Sequence, residues 1–140
     1  WCPDICPFDL NKIMAGFRQF EKSDPAKAAK VQPIFITVDP QRDTPAVIKT
    51  YVTAFHPRLI GLTGTAEQIE AVKKAFVVVA SKTGDPAATK DYLVSHSRTP
   101  ALFGPDGKPI ALVPVDDTMQ DGHDDAPPEA VRDFLARFVQ

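Results

Sequence analysis

The stretch Cys2-Pro3-Asp4-Ile5-Cys6-Pro7 restricts the possible folds of this chain more than any other. A helix that began at Pro3 would carry Pro7 inside it, where the ring clashes with the carbonyl four residues earlier. The segment is therefore read as a turn followed by a helix. Pro7 takes the first helical position, where a missing amide hydrogen leaves nothing unpaired. Cys6 then stands at or near the N-cap and Cys2 in the turn before it. These are the two cysteines of the chain. Residues four apart on one continuous helix have Cβ atoms about 5–6 Å apart, against roughly 3.8 Å in a disulfide. A turn joined to a helix leaves both products open: a soft metal held by two thiolates, or a dithiol that cycles with a disulfide. The positive end of the helix dipole favours a thiolate at Cys6, which promotes ligation and nucleophilic attack alike. Two inert thiols or a passive disulfide is the plain alternative for such a pair in isolation.

The surrounding chain has 140 residues, 44% hydrophobic and 24% charged, enough for one compact globular domain. Its formal net charge is -2, and no lysine-arginine block appears, so nothing marks it for phosphate backbones or anionic lipid. Nucleic acid is not expected as a partner. No apolar run approaches the roughly 18 residues of a membrane span, and the chain is read as soluble, without membrane contact of its own. It starts without methionine and inside its own motif, so a targeting, anchoring or structural segment is expected upstream.

Hydrophobic period and punctuation give the elements. Phe8, Leu10, Ile13, Met14, Phe17 and Phe20 recur mostly at three- and four-residue steps and predict a helix from about Pro7 to Lys22. Ser23 to Lys30 reads as a connector and Val31 to Val38 as a strand ending at Asp39-Pro40. Asp43-Thr44-Pro45 opens a second helix, with Val47, Ile48, Tyr51, Val52 and Phe55 on one side, that stops before His56-Pro57. Leu59 to Leu62 is a short strand. Thr65 with Gln68 forms a capping box, so Ala66 to Ala75 is a third helix with Ile69, Val72 and Phe76 inward. Val77-Val78-Val79 reads as a buried strand, Gly84-Asp85-Pro86 as a loop and Tyr92-Leu93-Val94 as strand. Ala101 to Phe103 and Ile110 to Val113 flank the turn Pro105-Asp106-Gly107. A last helix opens at Asp125, Pro127 and Pro128 and runs to Val139. This alternation predicts an α/β sheet covered by helices. A strand ending at Trp1, supplied from upstream, would complete a thioredoxin-like layout.

Several runs together resemble the Sco (SenC) copper proteins of cytochrome c oxidase assembly. The family's CPDxCP segment is matched by Cys2 to Pro7 and its distant histidine by His96 in Asp91-Tyr92-Leu93-Val94-Ser95-His96-Ser97. Its TVDPxRDTP stretch is matched by Thr37-Val38-Asp39-Pro40-Gln41-Arg42-Asp43-Thr44-Pro45. Leu62-Thr63-Gly64-Thr65 and Gly104-Pro105-Asp106-Gly107-Lys108 fall where further family runs would fall, so the likeness covers nearly the whole chain. It implies one thioredoxin-like domain over residues 1–140, incomplete at its N-terminus, with a central mixed sheet flanked by helices. The strand before the cysteine motif would lie upstream.

The resemblance further implies that Cys2, Cys6 and His96 hold one copper ion. Thiolates suit Cu(I), and an imidazole suits both Cu(I) and Cu(II). The function implied is a copper metallochaperone, a binding module more than an enzyme. It would deliver the ion to a cytochrome c oxidase subunit or another copper acceptor, after receiving it from a donor protein. The alternative is a thiol-disulfide oxidoreductase that reduces an acceptor's cysteines, with Cys2 attacking and Cys6 resolving. The compartment implied is the bacterial periplasm, with a tether to the inner membrane through an absent N-terminal segment, or else the mitochondrial inner membrane facing the intermembrane space. Two positions depart from the family pattern. Ser95 stands where an acidic residue commonly precedes the histidine, which removes a carboxylate that would orient the ring. Pro100 follows Arg98-Thr99, and a cis bond there would strengthen the redox reading. His56 is expected as a helix-capping or surface group, His123 as a solvated residue of an acidic loop. Trp1 is expected to end a core strand. Asp39, Arg42 and Asp43 either shape a partner surface or hold a turn through Asp hydrogen bonds and an Arg-Asp pair.

Overall fold

The computed structural model describes residues 6–78, 80–83, 93–96, 100–115 and 126–140, with the backbone alone described at 6, 7, 80–83 and 93–96. In chain order the elements are α1 (Cys6–Ser23), α2 (Pro25–Ala28), β1 (Ile34–Ile36), α3 (Pro45–Phe55), β2 (Ile60–Leu62), α4 (Ala66–Ala75), β3 (Ala80–Thr83), β4 (Leu93–His96), β5 (Ala101–Phe103), β6 (Pro109–Leu112) and α5 (Pro128–Phe138). The strands pair as one parallel ladder, β1 with β2, and two antiparallel ladders, β3 with β4 and β5 with β6. The chain divides into two compact units, Trp1–Cys6 with Gln32–Ser97 and Pro7–Val31 with Arg98–Gln140. Among the described residues no helix is long and apolar enough to cross a membrane.

In the first unit β1 and β2 run in register, Phe35 opposite Gly61. Pro33 offers a carbonyl to the Ile60 amide (3.1 Å), and the Thr37 amide donates to the Leu62 carbonyl (3.1 Å), so the ladder reaches just past both ends of the strand. The strand expected over Val31 to Val38 is thus trimmed to Ile34–Ile36. Pro33 has no amide hydrogen to give a ladder, and beyond Thr37 the chain turns back on its own side chains. The crossover between the two strands is α3, capped by the Thr44 hydroxyl and opened by Pro45. It buries Ile48 and Val52, while Val47 stays about half exposed. A Cβ on Gly61 would overlap the Ile48 and Val52 side chains, so α3 lies directly on the β2 backbone. Phe35 meets Tyr51 at 5.4 Å between ring centroids and Tyr51 meets Phe55 at 4.9 Å, an aromatic run that ties β1 to α3.

The third predicted helix is observed as α4, bounded as expected. The Thr65 amide donates to Gln68 Oε1 (2.9 Å) and the Gln68 amide to Thr65 Oγ1 (3.2 Å). Its end corrects two expectations. Phe76 is 46% exposed rather than inward, and Val77, expected in a buried strand, is 82% exposed with φ at 54°. The Val77 amide donates to the Lys74 carbonyl (3.3 Å) and the Val78 amide to the Lys73 carbonyl (2.8 Å), which closes α4 with a left-handed turn. Three apolar β-branched residues look like a strand, but here the first two satisfy the last carbonyls of a helix. Val79 lies outside the described residues, and β3 is described over Ala80–Thr83.

In the second unit α1 buries Leu10, Met14, Phe17 and Phe20, while Phe8, which belongs to the same apolar period, is 67% exposed. Gly16 allows α1 to approach α5 closely, since a Cβ there would overlap the Pro128 carbonyl and the Val131 side chain. The Gln19 amide donates to Glu129 Oε1 (3.0 Å) beside that contact. Backbone hydrogen bonding and Gln19 together hold the Glu129 carboxyl below the ordinary range. The connector expected over Ser23 to Lys30 contains α2, one turn capped by Asp24 and opened by Pro25. The expected hairpin is present. Gly107 takes φ at 75°, and its amide donates to the Gly104 carbonyl at the tip.

Because two backbones have no room for a methyl group, Gly16→Ala and Gly61→Ala are each expected to cost about 1–3 kcal/mol. Urea unfolding followed by circular dichroism measures this. An unchanged midpoint in either variant would show that the corresponding backbones stand farther apart than described.

Candidate metal centre

The sequence supplies Cys2, Cys6 and His96 as candidate ligands, and the structure locates two of them by backbone. Cys6 is the first described residue of α1 (Cys6–Ser23), inside the helix and one position before the start expected at Pro7. His96 is the last residue of β4 and pairs with Ala80, the first residue of β3. Ser95 pairs with Ser81 in the same ladder. Cys6 and His96 belong to the same compact unit. Cys2, Trp1, Tyr92, His123 and the loop at Gly84-Asp85-Pro86 lie outside the described residues, as does Thr99, where the bond to Pro100 begins. Among the described residues no three His, Cys, Asp or Glu side chains gather as a metal site.

The loop after β1 is described in full. Thr37 is 3% exposed and Asp39 1%, so a hydroxyl and a carboxylate are buried side by side. The Thr37 hydroxyl donates to Asp43 Oδ2 (2.5 Å) and accepts from the Asp39 amide (3.0 Å). The Asp39 carbonyl accepts from the Arg42 and Asp43 amides (3.3 and 3.1 Å). Arg42 Nε donates to Asp39 Oδ2 at 2.6 Å, with the Arg42 side chain 18% exposed. Of the two readings of Asp39, Arg42 and Asp43, these bonds realise the turn held by Asp side chains and an Arg-Asp pair. Thr37 has a part in this turn that its sequence position alone does not assign. The signal for it is a threonine two residues before an aspartate at a strand end, where hydroxyls commonly bond the returning backbone.

His56 caps α3, as expected, but is buried at 4% exposure rather than on the surface. Its amide donates to the Val52 carbonyl (3.2 Å), and its Nδ1 accepts from the Arg58 amide (3.1 Å). The ring thus supplies the acceptor that the chain needs as it turns from α3 towards β2.

The chain is similar to known proteins. The sequence profile described as SCO1/SenC matches residues 1–126. The chain belongs to the SCO1/SenC family. A mitochondrial SCO2 homolog from Bos taurus is 50% identical over 106 residues, 76% of this chain and 39% of that protein. The crystal structure of Arabidopsis thaliana ScoI with copper bound matches 97% of this chain and 75% of its own at 34% identity and a TM-score of 0.76. The structure of Bradyrhizobium japonicum ScoI with copper bound matches 99% of this chain and 78% of its own, at 33% identity and a TM-score of 0.77. The SCO1/SenC chain described here therefore has the thioredoxin-like α/β fold expected from its sequence. It spans about 30–50% of the length of the curated SCO relatives it matches.

Within this SCO1/SenC chain the Arg42 guanidinium neutralises a nearly inaccessible carboxylate. Arg42→Ala is accordingly expected to cost about 3–5 kcal/mol, the usual penalty for leaving a buried charge unpaired. Asp39→Asn, which removes the charge itself and keeps the shape, is expected to cost less. Paired urea titrations at neutral pH would reject the account if the order of the two losses were reversed.

Proposed function

We propose that this chain binds one copper ion through Cys2, Cys6 and His96 and hands it to the copper site of cytochrome c oxidase or another acceptor protein. The observation that carries the reading is membership of the SCO1/SenC family together with the presence of all three candidate ligands in the sequence. Two structures of the same fold with copper bound support it. The donor set fits the cargo: two soft sulfurs suit Cu(I), and the imidazole keeps the site serviceable for Cu(II). Cys6 at the start of α1 lies where a helix terminus favours a negative sulfur. Three protein ligands leave a coordination position through which an acceptor's ligand can enter, so transfer can proceed by stepwise exchange.

A second reading uses the same two sulfurs. A Cys2 thiolate attacks a disulfide of the acceptor and gives a mixed disulfide, which Cys6 then resolves. Two electrons and two protons pass to the acceptor's cysteines, and this chain is left as the Cys2-Cys6 disulfide. The helix-terminal position of Cys6 favours this chemistry as much as ligation. In either case residues 1–140 act as one thioredoxin-like domain, and a copper donor protein precedes the acceptor. The domain works on the membrane face where oxidase copper sites are assembled, the bacterial periplasm or the mitochondrial intermembrane space. A segment outside these residues tethers it, consistent with the 39% of the bovine relative that the chain spans.

His96→Ala separates the two activities. Copper affinity, measured by competition with a chromophoric chelator, is expected to fall by more than the roughly 10–100-fold that losing a mere supporting contact costs. Exchange of the dithiol with a disulfide substrate is expected to survive. Unchanged copper affinity in this variant would remove His96 from the site.

A further inference from the structure

A buried carboxylate stands on the same helix as the candidate ligand Cys6, one turn further along. Asp9 is 8% exposed and is the acidic residue in the first turn of α1 (Cys6–Ser23). Residues three apart on a helix share a face, with Cβ atoms about 5–6 Å apart. Each Cα–Cβ bond also tilts towards the helix N-terminus, so the Asp9 side chain leans towards the turn that contains Cys6. An exposed acid in a first turn is accounted for by the helix dipole alone. A nearly inaccessible one acts at short range with little water between to screen it.

The charge of the proposed copper centre depends on the oxidation state of its cargo. Two thiolates and a neutral imidazole leave one net negative charge when they hold Cu(I) and none when they hold Cu(II). A carboxylate one helical turn away repels the first complex and is indifferent to the second. The comparison is between two copper-loaded states, so the protonation of the thiols before copper binds does not enter it. Asp9 has an interaction of its own within the structure. Replacement by asparagine removes one negative charge and leaves every neighbouring cation in place, so the sign of the effect is the same whatever that partner is.

We infer that Asp9 sets the balance between the two copper states: its carboxylate weakens the hold on Cu(I) relative to Cu(II) and so eases release of the reduced ion to an acceptor. This rests on the reading of Cys2, Cys6 and His96 as the copper ligands. Asp9 acts through its charge, across one turn of the helix that carries Cys6.

The test compares Asp9→Asn with Asp9→Glu in the whole chain, with Cys6→Ser as the control. Cu(I) and Cu(II) affinities are measured separately by chelator competition, and the Cu(II)/Cu(I) potential by mediated spectroelectrochemistry. In Asp9→Asn the ratio of Cu(I) to Cu(II) affinity is expected to rise by about fourfold to tenfold, the effect of one charge roughly 6–10 Å away at an effective dielectric constant of about 40. The potential rises with it by about 35–60 mV, at about 59 mV per tenfold for one electron. Asp9→Glu keeps the charge and is expected to keep the wild-type ratio. The thermal midpoint of metal-free Asp9→Asn is expected to fall by about 1–4 °C, because a first-turn carboxylate is lost. A purely structural role would weaken the binding of both ions together, and an unchanged ratio in Asp9→Asn would overturn the inference. Full copper affinity in Cys6→Ser would instead remove the ligand reading and the inference with it.

Discussion

Proline at position 7 is the constraint from which the candidate centre derives. It lacks an amide hydrogen and fits only the first turn of a helix, and α1 is described from Cys6 onward. A cysteine at that point has the positive end of the helix dipole beside it. Its sulfur is favoured as an anion, whether the anion goes on to hold a metal ion or to attack a disulfide. The helix also carries this position into a defined setting, because α1 is held along its length by Met14, Phe17 and Phe20 and by the close approach at Gly16. A loop cysteine would have neither the dipole nor the anchorage.

Where the sequence contains a terminal signal, it predicts the elements closely. Thr65 and Gln68 mark the start of α4, Thr44 and Pro45 the start of α3, and His56-Pro57 its end, and each is found as read. These signals act through bonds within three or four residues, so the local sequence contains all of their physics. The misreadings come from residues whose role depends on distant partners. Val77 and Val78 have the composition of a strand, yet their amides close α4. Phe8 and Phe76 have the right period for a core, yet sit at helix ends beyond the buried stripe. Of the candidate centre, the helical setting of Cys6 was legible. The Ala80-His96 pairing was not, since ladder register depends on two segments that are far apart in sequence.

The loop after β1 shows a different limit. Asp39, Arg42 and Asp43 look like a charged surface when read in sequence, and an exposed charge triplet would suit a docking face. Burial reverses that reading. With Asp39 1% exposed and its carboxylate on Arg42, most of the polar capacity of the motif is spent inside the turn. A buried carboxylate without such a partner would be costly, so the arginine is part of the structure of the loop. Thr37 completes the arrangement by linking the end of β1 to Asp43, one residue before the N-cap of α3. The TVDPxRDTP run thereby fixes the angle between a strand and the helix that covers it.

Glycine and valine are used in this chain in opposite senses. Gly16 stands where the Pro128 carbonyl and Val131 press on α1, and Gly61 where the Ile48 and Val52 side chains press on β2, so their lack of a side chain is required by packing. At Val77 the backbone invites glycine and the space is open, yet a branched side chain is present. Stability alone accounts for the first two and not for the third, because a left-handed valine costs about 1–2 kcal/mol.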